Sequence, residues 1–256
     1  MHRKMADTTS SEGSAPTVEK GWPALKQQII QDKIKVAQWS IRLVTILFTF
    51  AYLLPIFGNP YDAYYKVLLS CMATNILRLH QRIPRISFTR EFMITLFLED
   101  SFHYLFYSFV FQYAAPVTLV IIPVFLFALL HFASYSLTLL DCLGQNSWWG
   151  ARLLISLVEF QSQNILRLCA FCEIFVLPLS LILIFTGRAS FLTPVLYYQF
   201  LQLRLASRRN PFTRNVFIEI TNGFSNIAMK PSVPEFLRRV IGSLVDIMRR
   251  MTTMHQ

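Results

Sequence analysis

Long apolar runs constrain this sequence more than any other feature. Four of them cover residues 36–57, 92–111, 115–140 and 165–186. Each approaches or exceeds the roughly 20 residues that a helix needs to cross the hydrocarbon of a bilayer. Only 15% of the 256 residues are charged, whereas about a quarter is typical of soluble domains. Because so little charge cannot cover a soluble globule, the sequence predicts an all-α, polytopic helical membrane bundle.

Two weaker segments, 63–79 and 190–205, set the expected number of spans. Both carry polar or charged residues, so each either crosses the bilayer or lies along its interface. We therefore expect about six spans, with four as the alternative. Residues 1–35 are predicted to be a polar, largely disordered tail without a signal peptide. The bundle is expected over 36–205, followed by a basic amphipathic region over 206–256.

The placement of arginines orients the predicted bundle. The loop at 80–91 contains three arginines, whereas the turns at 58–62 and 112–116 contain no basic residue. Since basic loops of membrane proteins stay in the cytosol, the loop at 80–91 is assigned to that side. With six spans, both ends of the chain are then cytosolic.

The end of the chain is basic and amphipathic. Residues 201–256 contain nine Arg and Lys side chains against three Asp and Glu, which places +6 of the chain's +10 there. Residues 234–251 repeat apolar side chains at helical spacing, with arginines on the remaining arc. Such a helix is predicted to lie on the anionic surface of the bilayer, and packing on the bundle is the alternative. The predicted lipid contacts are Phe236, Leu237, Arg238, Arg239, Val240, Ile241, Leu244, Arg249 and Arg250. A weaker stretch at 212–229 leaves the same two alternatives open.

Glu99, Asp100 and His103 interrupt the apolar run at 92–111. On a continuous helix, Glu99 and His103 are four residues apart and Asp100 and His103 are three apart, so all three share a face. Charges inside a membrane usually pair with one another. The cluster is therefore predicted to form an intramembrane polar network with His131 and Arg78. A pathway for ions or protons and an acid–base catalytic pair remain as alternatives.

Catalytic and metal sites have little support in the sequence. No nucleophile motif or phosphate-binding glycine loop occurs, and the chain has only 8 glycines. Cys169 and Cys172 form a C-x-x-C inside an apolar run, where small packing residues are the favoured interpretation. We expect no enzyme activity, no metal and no cofactor. The basic end has no nucleic-acid-binding signature, so nucleic acid is not an expected partner.

Several strings resemble the transmembrane protein 33 family, most closely its Krüppel homologue 2 members. The resemblance runs in order over most of the chain. It rests on MADTT at 5–9, ILRLHQRIPR at 76–85, LEDSFHYLFYS at 98–108, PVFLFALLH at 123–131, QNILRLCAFCEIFVLP at 163–178, YYQFLQLRLASRRNP at 197–211 and MKPSVPEFLRR at 229–239.

This resemblance implies a membrane protein of the endoplasmic reticulum and nuclear envelope that is not an enzyme. It implies a role in organising tubular reticulum, in calcium and stress signalling, and in nuclear-pore assembly as in yeast relatives. Reticulon-type proteins and nucleoporins are the implied partners, and self-association stays open. The yeast relatives use amphipathic C-terminal helices on curved membrane. The expected function is accordingly a scaffold of curved membrane, with an ion pathway or channel regulator as the alternative.

Overall fold

The computed structural model describes residues 20–54, 58–83, 87, 89–145 and 147–253. The described residues form helices and no strands, which confirms the predicted all-α class. In chain order the helices are α1 (Trp22–Gln31), α2 (Lys33–Leu53), α3 (Pro60–Arg82), α4 (Arg90–Phe97), α5 (Asp100–Gln112), α6 (Thr118–Leu143), α7 (Trp149–Ile155), a π-helical turn (Ser156–Phe160), α8 (Ser162–Phe185), α9 (Leu192–Ala206), α10 (Phe212–Ala228) and α11 (Glu235–Thr253).

Six helices, α2, α3, α5, α6, α8 and α9, alternate in direction and form the bundle. Their connections after α2, α5 and α8 meet at one end, which we call the turn end. There the Ala115 amide donates to the Arg188 carbonyl oxygen at 3.0 Å. At the opposite, basic end, α1 joins the end of α6, because the Gly21 amide donates to the Cys142 carbonyl oxygen at 2.9 Å. The alternation places α1, α10 and α11 together at the basic end.

The helices of the bundle differ in length. Among the described residues, α2, α6 and α8 are long and apolar enough to cross a membrane. Helix α3 has 23 residues and reaches about 34 Å at 1.5 Å per residue, but it is more polar. Helices α5 and α9 have 13 and 15 residues. At about 20 Å and 22 Å, they fall short of the roughly 30 Å hydrocarbon layer.

The predicted span over 92–111 is not continuous, which corrects the sequence interpretation. Helix α4 ends where the Leu98 amide bonds the Ile94 carbonyl oxygen, and Glu99 has an extended backbone before α5 begins. The helix is interrupted there because the Glu99 carboxylate points toward arginines of neighbouring segments. Glu99 and His103 therefore do not share a helical face, although the Glu99 carbonyl oxygen accepts the His103 amide.

The N-terminal boundary also differs from the sequence prediction. Residues 22–31 form helix α1 and helix α2 begins at Lys33, within the segment predicted to be a polar tail. Residues 1–19 of that predicted tail lie outside the described residues, as do 55–57 at the end of the first predicted span and four residues of the basic loop, 84–86 and 88.

Aromatic side chains fill the centre of the bundle. Rings from α5 and α9 pack against one another at tilted and edge-to-face angles, with centroids 4.9 Å apart for Tyr107 and Phe200 and 5.4 Å apart for Phe111 and Tyr197. Each such pair contributes about 0.5–1.5 kcal/mol beyond the burial of its area. This core holds the short helices α5 and α9 against the long ones.

Candidate functional site

The most buried charges in the described part of the chain are Glu173 and Arg204. Glu173 lies at the middle of α8 and Arg204 in the last turn of α9. The Arg204 Nε donates to both carboxylate oxygens of Glu173 at 3.1 Å, and the two residues are 1% exposed or less. Hydroxyls of Tyr104 and Thr213 also donate to this carboxylate. Every charge-bearing atom of Glu173 is thus compensated, as a buried carboxylate requires.

Asp100 extends the pair toward the start of α5. Its Oδ1 accepts from Arg204 Nη1 at 3.2 Å and from the Ser207 hydroxyl at 2.7 Å. His103 lies beside it, with Nδ1 3.7 Å from the same oxygen, which is too long for a hydrogen bond. The other ring nitrogen, Nε2, donates to the Phe97 carbonyl oxygen at 2.7 Å. His103 therefore ties α5 back to the end of α4.

Glu99 closes the cluster at its outer side. Its carboxylate accepts from Arg82 Nη1 at 2.6 Å and from Arg209 Nη1 at 2.8 Å. Arg82 ends α3 and Arg209 follows α9, so one carboxylate joins three segments. We call the six residues the ion-pair cluster: Arg82, Glu99, Asp100, Glu173, Arg204 and Arg209.

The residues of the predicted polar network lie in two separate groups in the structure. Glu99, Asp100 and His103 lie together, whereas Arg78 and His131 lie on α3 and α6 and contact each other, with Arg78 Nη1 3.4 Å from His131 Nε2. Arg204, which the sequence groups with the basic end, is the cation at the centre of the cluster. The sequence signal for Glu173 was its position inside the apolar run at 165–186, which calls for a buried partner.

A cavity opens against the ion-pair cluster, where residues of α2, α3 and α6 face Asp100, Arg204 and Arg209. Its volume is about 280 Å³, and a second recess of about 290 Å³ shares part of its wall. Arg42, Arg78 and His131 line both. The other wall residues combine polar groups with apolar side chains such as Val124 and Phe127. An amphiphilic space of this kind suits a small polar group attached to an apolar body.

Helix α11 divides its apolar arc between two environments. Val245 and Met251 are buried, and Met248 packs with Met251 against Val216 and Phe217 of α10. Other apolar side chains of the arc are exposed. We call these the exposed stripe: Phe236, Leu237, Val240, Leu244 and Ile247.

Most of the predicted lipid-contact residues are exposed in the structure. Arg238, Arg239, Arg249 and Arg250 are exposed, whereas Ile241 is half-buried. Ile247, which belongs to the exposed stripe, was missing from the prediction although its helical position falls on the same arc. Helix α10 differs, because its apolar residues Val216 and Phe217 are buried in the bundle.

The two cysteines of the C-x-x-C are buried on α8 and form no disulfide. Among the described residues, no group of three or more His, Cys, Asp and Glu side chains is arranged to hold a metal ion.

The fold and its buried ion pairs define the class: an α-helical membrane protein with several membrane-spanning helices. Within this class, the chain belongs to the Transmembrane protein 33/Nucleoporin POM33 family, whose family model matches residues 17–254. The resemblance seen in the sequence is thereby confirmed.

Similar proteins cover nearly the whole chain. Krueppel homolog 2 of Drosophila melanogaster is 47% identical over 247 residues, covering 93% of this chain and 89% of that protein. Transmembrane protein 33 of Rattus norvegicus is 40% identical over 249 residues, covering 96% and 98%. The Transmembrane protein 33 homolog of Caenorhabditis elegans is 37% identical over 231 residues, covering 88% and 84%. No solved structure matches the chain.

Proposed function

We propose that the protein organises curved membrane of the endoplasmic reticulum and nuclear envelope, with α11 in contact with the cytosolic leaflet. The observation that carries this proposal is the exposed stripe. Five large apolar side chains stay uncovered on a helix whose Met248 and Met251 are already packed against residues of α10. Because exposed apolar side chains in a row are unfavourable in water, the stripe requires a lipid or protein surface.

The charges next to the stripe favour lipid. On a helical projection, Arg239 and Arg250 lie beside Phe236 and Ile247, on the edge away from α10. An amphipathic helix with this arrangement buries its apolar face about 5–10 Å deep at the headgroup boundary. Insertion into one leaflet enlarges that leaflet, which favours curvature.

The partners proposed for this surface are other membrane proteins of the reticulum and nuclear envelope. The description of the family includes a nucleoporin, which supports a position near nuclear pores. Reticulon-type proteins follow from the role in tubular reticulum that the family resemblance implies. In this proposal the bundle anchors the chain and α11 positions it on curved membrane.

Spin labels on the full-length protein test the lipid contact. Leu244→Cys and Asp246→Cys sit on the stripe and on the polar arc of α11, and both positions are exposed. Both variants carry Cys142→Ser, because Cys142 is the partly exposed native thiol among the four. In vesicles containing phosphatidylserine, we expect oxygen to relax the label at position 244 more than a water-soluble nickel chelate does. The label at position 246 should show the opposite preference.

Equal nickel access at both positions would contradict the lipid contact. The link to membrane shape has its own measurement in cells lacking the endogenous protein. The variant Leu244→Asp/Ile247→Asp should reach the reticulum in normal amount but fail to restore tubules, whereas Asp246→Asn should restore them. Restoration by both variants would remove α11 from the proposed function.

The alternative, an ion or proton pathway through Glu99, Asp100 and His103, has less support. Both carboxylates are already paired with arginines, and His103 Nε2 is held by a backbone carbonyl. Ion flux through reconstituted protein that is lost in Glu99→Gln/Asp100→Asn would reverse this ranking.

A further inference from the structure

Arg42 on α2 is buried and has no partner of opposite charge among the described residues. Its side chain lines the cavity between α2, α3 and α6, and the residue is 8% exposed. Within the described residues it makes no hydrogen bond or ion pair, in contrast to Arg82, Arg204 and Arg209. An uncompensated buried charge costs several kcal/mol, so a guanidinium in this position is expected to have a counter-charge.

Arg78 on α3 forms no ion pair with a described carboxylate, although the negative charges of Asp100 and Glu99 act on it from a distance. It lines the same cavity, and its one polar contact there is His131 Nε2 at 3.4 Å, near the limit of a hydrogen bond. A histidine nitrogen supplies no negative charge that would balance a guanidinium. Two like charges facing one space raise the cost of leaving both unpaired.

The carboxylates nearby form their ion pairs with other arginines, although Asp100 itself lines the cavity. Glu99 binds Arg82 and Arg209, and Glu173 binds Arg204. Asp100 binds Arg204 as well. Five guanidinium groups, counting Arg42 and Arg78, therefore share three carboxylates in the described part of the site. This gives a net charge of +2, part of which water screens at the exposed Arg82 and Arg209.

The size and lining of the cavity limit the class of ligand that it can bind. A volume of about 280 Å³ accommodates a small headgroup. Guanidinium groups bind oxyanions through two parallel hydrogen bonds, and phosphate matches that geometry. Apolar wall residues, among them Leu166 and Phe212 from α8 and α10, border the same space. These residues are better suited to contact the glycerol and acyl part of a lipid than to face bulk water.

We propose that Arg42 and Arg78 form a binding site for a phosphate oxyanion, carried by a phospholipid headgroup or by a soluble phosphate. The anion pairs with the two guanidinium groups that form no ion pair among the described residues, and it joins α2 to α3. This site is separate from the surface of α11, so either proposal can fail without the other.

Delipidated full-length protein in a nonionic detergent tests the site by its thermal stability. The probes are inorganic phosphate, dioctanoyl phosphatidic acid and, without phosphate, dioctanoylglycerol, all at constant ionic strength. A ligand at about 100 times its Kd contributes enough to raise Tm by roughly 5–10 °C in a protein of this size. We expect a rise of this order with phosphatidic acid and none with dioctanoylglycerol. A rise with inorganic phosphate alone would assign the site to a soluble phosphate, and a rise with neither would overturn the proposal.

Matched variants locate the effect. Arg42→Gln and Arg78→Gln should lose the ligand-induced rise, and Arg42→Gln should itself melt higher without ligand, because it removes an unpaired charge. Arg188→Gln changes an exposed arginine at the turn end and should keep the full rise. An equal rise in all three variants would place the anion elsewhere and overturn the proposal. If Arg42→Gln does not fold, Arg42→Lys keeps the charge without the planar fork and should weaken binding at least tenfold.

Discussion

Arg204 holds together segments that are far apart in the sequence. It binds Glu173 on α8 and Asp100 at the start of α5, and its guanidinium lies 5.5 Å from the Tyr104 ring centre. Arg204 neutralises buried carboxylates, so its removal leaves negative charge unpaired and lowers the free energy of unfolding. We therefore expect the ion-pair cluster to act structurally and its variants to change stability.

The effects of substituting Glu173 and Arg204 on the free energy of unfolding should not be additive. Each single substitution should cost more than half of what the double substitution costs. Arg204→Met leaves Glu173 charged and unpaired, so we expect a loss of about 3–5 kcal/mol in the free energy of unfolding. The double variant Glu173→Gln/Arg204→Met should lose less than the two single variants together. Thermal unfolding in detergent measures all three. Additive losses would contradict a specific pair.

Glu99 provides the comparison for that experiment. Its partners Arg82 and Arg209 are 37% and 54% exposed, so water compensates them when the carboxylate is removed. Glu99→Gln should therefore destabilise the protein less than Glu173→Gln does. The reverse order would show that burial does not set the energy of this cluster.

At this scale, the sequence indicates the acidic members of the cluster but not their partners. A carboxylate such as Glu173 inside an apolar run signals a buried interaction on its own. The choice of Arg204 over Arg167 depends on how α9 packs on α8. Arg167 instead lies on the surface, paired with Glu219 at 2.7 Å. No spacing rule within one segment contains that information.

At the scale of helices, α11 presents two adjacent apolar faces with different roles. Val245 is 4% exposed against α10, whereas Leu244 next to it is 47% exposed. The sequence predicts one apolar arc because periodicity defines a direction on the helix, not the neighbour that covers it. The division into a packed face and an exposed stripe follows from the position of α10.

Substitutions at these two neighbouring positions should separate the two roles. Val245→Asp places a charge in the contact with α10, so we expect α11 to detach and the bundle to lose about 2–4 kcal/mol. Leu244→Asp should leave stability within about 0.5 kcal/mol. Limited proteolysis of the detergent-solubilised protein, followed from the C-terminus, distinguishes the two variants. Equal protease resistance would contradict the packing of α11 on α10.

The bundle helices follow their apolar runs, and the exceptions have a common cause. The runs over 115–140 and 165–186 correspond to α6 and α8 within a few residues, because length and hydropathy alone define them. The run over 92–111 does not form one continuous helix. Hydropathy contains no information on the ion pairs that Glu99 forms with Arg82 and Arg209. Tertiary pairing overrides the local pattern there.

For the whole molecule, the alternation of helices places both ends of the described chain at the basic end. The orientation of this end remains a prediction from the distribution of arginines. It is the side from which α11 and the Arg42–Arg78 cavity are reached. The topology therefore decides which compartment meets both proposed surfaces.

Cysteine labelling in sealed microsomes tests this topology. In a Cys142→Ser background, Ser232→Cys lies at the basic end and Arg188→Cys at the turn end, and both positions are exposed. A membrane-impermeant maleimide should label position 232 in intact microsomes and position 188 only after permeabilisation. The opposite pattern would place α11 in the lumen and exclude its contact with the cytosolic leaflet.

The pairing of Glu173 with Arg204 also sets an order of events during synthesis. The two residues are 31 positions apart, so at roughly 5–20 residues per second the acid precedes its cation by a few seconds. During this interval α8 contains a carboxylate that no later helix has yet neutralised. A nascent chain that stops before α9 therefore keeps an unpaired carboxylate in the middle of α8.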